Sequence, residues 1–114
     1  MASIERTVTG DLEALVSHIH AVITGGSVTA SLEARSDRQV GEARMVVLAY
    51  ERYSVMGGNR LGLTFSLLAL GDEVAVTAVA TGGSQAMFVK INTFGEEAFL
   101  DHADWAISSF ASPG

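Results

Sequence analysis

The stretch where chemistry would be sought first, Thr81 to Glu97, lies in the C-terminal third of the chain. Thr81-Gly82-Gly83-Ser84-Gln85 is a Gly-rich run whose backbone N–H groups can converge into a nest for an anion or carboxylate, with Lys90 close by as counter-charge. It lacks the Gly-Lys-Ser/Thr ending of a Walker loop and the glycine spacing of a dinucleotide fingerprint. Paired glycines also serve plain backbone geometry, here the exit from a strand. Tyr53, Asn59 and Arg60 flank a turn, where they suit a carboxylate or polar ligand at a hairpin mouth, and Glu51 is placed to pair with an arginine across the strands. His18 and His20 stand two apart on a helix and border its apolar stripe on opposite sides, whereas a shared metal needs i and i+4. His102 lies beside Asp101 and Asp104, which could orient it, but spacing sets no nucleophile next to it. Glu96 and Glu97 are potential general bases, yet acidic residues in a first helical turn follow from the helix dipole alone. The spacing predicts no catalytic set, no metal site and no cofactor.

Bulk properties narrow the classes further. Seven basic against thirteen acidic residues give a net charge of −6, which repels phosphate backbones unless the cations cluster, and they do not. Nucleic acid and anionic membranes are therefore not expected partners. The absence of cysteine removes disulfides, thiolate nucleophiles and thiolate metal ligands. Met1-Ala2-Ser3-Ile4-Glu5-Arg6 lacks the pattern of a signal peptide. The longest uncharged run, Val74 to Val89, falls short of the ~18 apolar residues of a membrane span. Together these features predict a cytoplasmic protein, and a length of 114 residues predicts one domain.

Strands and helices follow from periodicity. Ser3 to Val8 predicts a first strand. After Gly10-Asp11, the residues Leu12, Leu15, Val16, Ile19, Val22 and Ile23 fall on one helical stripe, closed by Gly25-Gly26. From Ser27 the period becomes two, with Val28, Ala30, Leu32 and Ala34 alternating with polar residues, and the polar run Ser36-Asp37-Arg38-Gln39 predicts a turn. Ala43 to Tyr53 is a third strand, apolar on both faces in its middle. Met56-Gly57-Gly58-Asn59 is turn chemistry. A fourth strand alternates Leu61, Leu63, Phe65, Leu67 and Ala69 with Gly62, Thr64, Ser66, Leu68 and Leu70, and a Gly71-Asp72 hairpin leads to a fifth, Val74 to Ala80. Thr93-x-x-Glu96 reads as a capping box opening a second helix whose stripe is Phe99, Ala103, Ala106, Ile107 and Phe110.

The order β-α-β-β-β-β-α predicts an α+β fold: a five-stranded antiparallel sheet with two helices on one face, in the order 2-3-4-5-1 that keeps the first and fifth strands antiparallel, a place beside the second strand being the alternative. In element order it is similar in outline to the TATA-box-binding-protein-like and helix-grip folds. Two single-stripe helices cover only one face. The other is expected to display Val46, Leu48, Tyr50, Leu68, Leu70 and Val79, a patch large enough to predict a homodimer through it, the alternative being a sheet curved enough to wrap its own terminal helix. The mean hydropathy of +0.32, high for so acidic a chain, points the same way.

The residues Glu51-Arg52-Tyr53-Ser54, Gly57-Gly58-Asn59-Arg60, Gly82-Gly83-Ser84-Gln85-Ala86 and Ile91-Asn92-Thr93-Phe94-Gly95-Glu96-Glu97-Ala98-Phe99-Leu100 resemble a family of short bacterial proteins of uncharacterised function. The resemblance spans most of the chain and implies a small cytoplasmic bacterial protein, with no activity to carry over. From the residues themselves, the leading expectation is a non-enzymatic module for a small ligand or protein partner, its site at Gly82, Gly83, Ser84, Gln85, Lys90, Tyr53, Asn59 and Arg60. A structural protein whose only site is the sheet face ranks second, and an enzyme using Lys90, His102 or Glu96 third.

Overall fold

The computed structural model describes residues 2–25, 30–53, 60–82 and 89–111, without the side chains of 53, 89–97 and 111. The elements are β1 (Ala2–Thr9), α1 (Leu12–Gly25), β2 (Ser31–Val40), β3 (Ala43–Tyr53), β4 (Arg60–Leu70), β5 (Glu73–Thr81) and α2 (Val89–Ala111). They form one five-stranded antiparallel sheet in the order β1-β5-β4-β3-β2, as the pattern predicts.

Local chemistry starts α1. The Asp11 carboxylate accepts a hydrogen bond from the Ala14 N–H at 3.0 Å, satisfying a first-turn donor that has no partner within the helix. Gly10 precedes it with φ 151°, and its N–H donates to the Asp72 carbonyl at 2.8 Å. A Cβ there would stand 3.0 Å from the Phe110 ring, so glycine is needed both for the backbone angle and for the approach of α2. The expected stripe is buried at Leu12, Leu15, Val16, Ile19 and Ile23, and it meets Phe99, Ala103, Ala106 and Ile107 of α2 in a single core with the sheet. Burying each such large side chain contributes about 1.5–3 kcal/mol.

Several local expectations are corrected. Ser36 to Gln39 lies within β2, and the chain turns at Gly41 (φ 59°). Every residue of β2 is exposed, so polar side chains cost nothing on this edge strand. The turn falls where a glycine supplies positive φ. A bulge between Leu32 and Ala34 puts Leu32 opposite Tyr50 and Ala34 opposite Ala49, hence on opposite faces rather than one. Helix α2 begins at Val89, so Thr93 and Glu96 are interior and not a cap. Helix propagates through Gly95 at a cost of about 1 kcal/mol, which packing of so long an element overrides.

The largest correction concerns the faces of the sheet. Val46, Leu48 and Tyr50 pair with Leu67, Phe65 and Leu63 and are buried beneath the helices. They do not share the open face with Leu68, Leu70 and Val79. Because β3 is apolar on both sides, only its register against the cleanly alternating β4 decides which side is the core. Met45, Val47 and Ala49 take their place on the open face. The third dimension of the molecule, 21 Å against 46 and 31 Å, corresponds to two layers, one of sheet and one of helix.

Candidate functional site

A groove opens where the helix layer stops short of β2. It is a cavity of about 290 Å³ lined by Val16, Ser17, His20 and Ala21 of α1, Leu32 and Arg35 of β2, and Leu48 of β3. Its apolar floor exists because α2 leans toward the β1–β5–β4 side, leaving α1 alone to shelter Leu48 next to an uncovered edge strand. Leu32 reaches the groove only through the bulge that turns it to the helix side.

Polar groups meet at its rim. His20 Nδ1 lies 3.0 Å from the Tyr50 hydroxyl, and the two rings sit 5.9 Å apart, while Tyr50 packs edge-on to Phe65 at 6.0 Å. Burial pushes the Tyr50 phenol up to about 12, so it stays protonated and available as a donor. The phenol can thus donate to the imidazole across this contact. On the β2 side, Arg35 binds Asp37 through two contacts, Nε to Oδ1 at 2.7 Å and Nη2 to Oδ2 at 3.0 Å. That hydrogen bond raises the arginine and lowers the carboxyl. Glu13 of α1 bridges Arg35 at 3.4 Å and Arg44 at 2.9 Å, fastening the helix to the strands that form the other wall. These pairs are exposed, so they orient side chains more than they stabilise the fold.

The residues expected to form a site have a different disposition. Tyr53 and Arg60 are direct partners across β3 and β4, and Gly82 follows Thr81, the partner of Gly62. The backbone thus brings all three to the same end of the sheet. Arg60 pairs with Glu51 at 3.1 Å, as cross-strand spacing predicts. Lys90 stands in the first turn of α2, its side chain outside the described residues, as are Gly83, Ser84, Gln85 and Asn59 altogether. Behind this end, the Arg52 guanidinium lies 4.3 Å over the Phe99 ring, and burial lowers its pKa. His102 is also held below its ordinary value, first by burial and then by Arg52, against a hydrogen bond with the Val22 backbone. Asp104 does not orient it: this carboxylate binds Arg6 of β1, with Nε to Oδ1 at 3.2 Å. His18 ties the two helices together through Ser109 Oγ at 2.7 Å.

The groove was not anticipated from the sequence. Tyr50 and His20 each stand out only as an aromatic on a strand and a histidine at a stripe border, and nothing in their separation of 30 residues joins them. Among the described residues, no group of three or more histidine and acidic side chains could hold a metal ion, and no helix is long and apolar enough to cross a membrane.

Comparison with solved structures finds TTHA0849 from Thermus thermophilus, at 10% identity, covering 97% of this chain and 99% of that one. Its TM-score of 0.31 is too low to carry an argument. No curated protein matches the chain. A family model does match, over residues 1–111, a span that takes in every element of the fold, and the chain belongs to this family of unknown function, DUF6054.

Proposed function

We propose that the protein is a small non-enzymatic binding module, and that its ligand is a small molecule with an apolar body and a hydrogen-bonding head, held in the groove between α1 and the β2–β3 edge. The observation that carries this reading is the cavity itself. Val16, Ala21, Leu32 and Leu48 form an apolar bed, and His20 and Arg35 converge at its rim. Small-molecule sites combine an apolar lining with a few placed polar groups in this way, and about 300 Å³ is the lower end of their usual volume. Binding is favoured over catalysis because the polar groups are engaged in holding one another: Tyr50 bonds His20, and Arg35 is bound by Asp37 and Glu13. The reading moves the expected site from the Gly82 and Arg60 end of β4 and β5 to the β2–β3 edge beside α1.

Titration of isotope-labelled protein with hexanoate, indole and benzamide, followed by amide chemical shifts, tests it. Saturable shifts at Ser17, His20, Leu32 and Arg35 are expected for at least one probe. Ala21→Trp, an exposed position that fills the groove, abolishes them. Shifts confined to the Arg60 and Gly82 end of the sheet, or unchanged in the Trp variant, refute the groove as the site.

A further inference from the structure

The open face of the sheet, opposite the ligand groove and independent of it, carries a second inference. The geometry points to a second copy of this chain as its occupant, stacked face to face about a twofold axis that runs along β4. On this face Leu68 is 50% exposed, Leu70 61%, Met45 37% and Val40 80%, and all four gather at the end of the sheet that carries the Gly41 and Gly71 turns. Five strands spaced ~4.8 Å apart and ~30 Å long present roughly 700 Å². A standard interface takes about 800 Å² from each partner.

Symmetry chooses the axis. A twofold axis along β4 keeps each row of paired residues level while exchanging the two flanks of the sheet. Leu68 and Leu70, on the axis, then meet the same residues of the other copy. The β2–β3 flank, where Met45 and Val40 protrude, comes over the β1–β5 flank, where Thr7, Leu68, Leu70, Glu73 and Ala75 surround a shallow hollow of about 220 Å³. Protrusion therefore meets hollow twice. Charge follows the same rule. Glu5 on β1 and Arg38 on β2 lie on opposite edges of this face, one row apart, and neither has an ion-pair partner among the described residues. The axis brings Glu5 of each copy toward the partner's Arg38. A twofold axis across the strands would instead set Glu5 against the partner's Glu5 and the apolar end against a more polar one. Self-complementary patches of this kind are what an isologous dimer requires.

Sedimentation equilibrium at tens of micromolar should give twice the chain mass of 11.9 kDa, and Leu68→Glu should give the monomer with an unchanged circular dichroism spectrum. Glu5→Arg and Arg38→Glu should each weaken association about tenfold, and the two together should restore it. Because the chain has no cysteine, Leu68→Cys provides a second route that does not depend on the charged variant folding. A short bis-maleimide should join two copies through position 68, on the axis, and fail to join them through Ser3→Cys, at the sheet edge. A wild-type monomer at these concentrations overturns the inference, as does a dimer indifferent to Leu68→Glu. A dimer in which the charge exchange restores nothing, or in which position 3 cross-links as readily as position 68, overturns the axis.

Discussion

Tyr50 joins the core to the groove. Its ring is buried at 1% exposure and stacks edge-on with Phe65, while its hydroxyl ends at the imidazole of His20 on the groove rim. Burial favours the uncharged phenol, which takes it from 10.0 to about 12 in the fold, and the sign of the pH dependence follows. Below pH 10 both folded and unfolded chains keep the proton and stability is full. Between 10 and 12 the unfolded chain releases it while the folded chain does not, so stability falls across that window. Urea unfolding at a series of alkaline pH values should show this loss, and Tyr50→Phe should flatten it. At neutral pH the same substitution should cost about 1 kcal/mol, the worth of one hydrogen bond. Of the two tyrosines in the chain, the phenolate absorbance that appears late in an alkaline titration should vanish in this variant.

At the scale of elements, α1 is the hinge of the design. Its buried stripe holds it to α2, its Glu13 fastens it to β2 and β3, and its exposed side forms one wall of the groove. The start of the helix rests on Asp11, whose carboxylate caps the Ala14 N–H. Asp11→Ala should lower stability by about 1 kcal/mol, read as a shift of the urea midpoint at constant slope. Gly10-Asp11 marks the start of this helix in the sequence, and the cap itself needs only residues within one turn. The capping box assigned to Thr93 and Glu96 has the same local logic and fails, because α2 continues four residues upstream, to Val89. The edge strand β2 misleads for a related reason. Its Ser-Asp-Arg-Gln run looks like a turn, yet an edge strand exposed on both faces accepts polar residues freely.

For the molecule as a whole, two layers produce two unlike sheet faces. Residues on the two faces of β4 should therefore respond very differently to truncation. Phe65→Ala removes a fully buried ring and should cost about 3–5 kcal/mol. Leu68→Ser, on the open face, should stay within about 0.5 kcal/mol in dilute solution. Denaturation curves of the two variants measure the asymmetry directly. Similar losses for both would mean that the open face is covered within the single chain.

Element order, the stripes of both helices, the β2–β5 meander and the glycine turn at Gly71 were legible in the sequence, because each depends on periodicity or on side chains a few residues apart. Cross-strand pairing of Glu51 and Arg60 belongs with these. The place of β1 beside β5 rather than β2 was settled by the fold. Which face of β3 is buried was settled by packing, since its alternation is apolar on both sides and a shift of one residue in register exchanges them. That decision moved Val46, Leu48 and Tyr50 from the open face into the core and set Met45 in their place. It also created the groove: the bulge beside Glu33 turned Leu32 inward, and the register of β3 carried the Tyr50 hydroxyl to His20. Contacts between residues distant along the chain are properties of register and packing, and no local pattern encodes them.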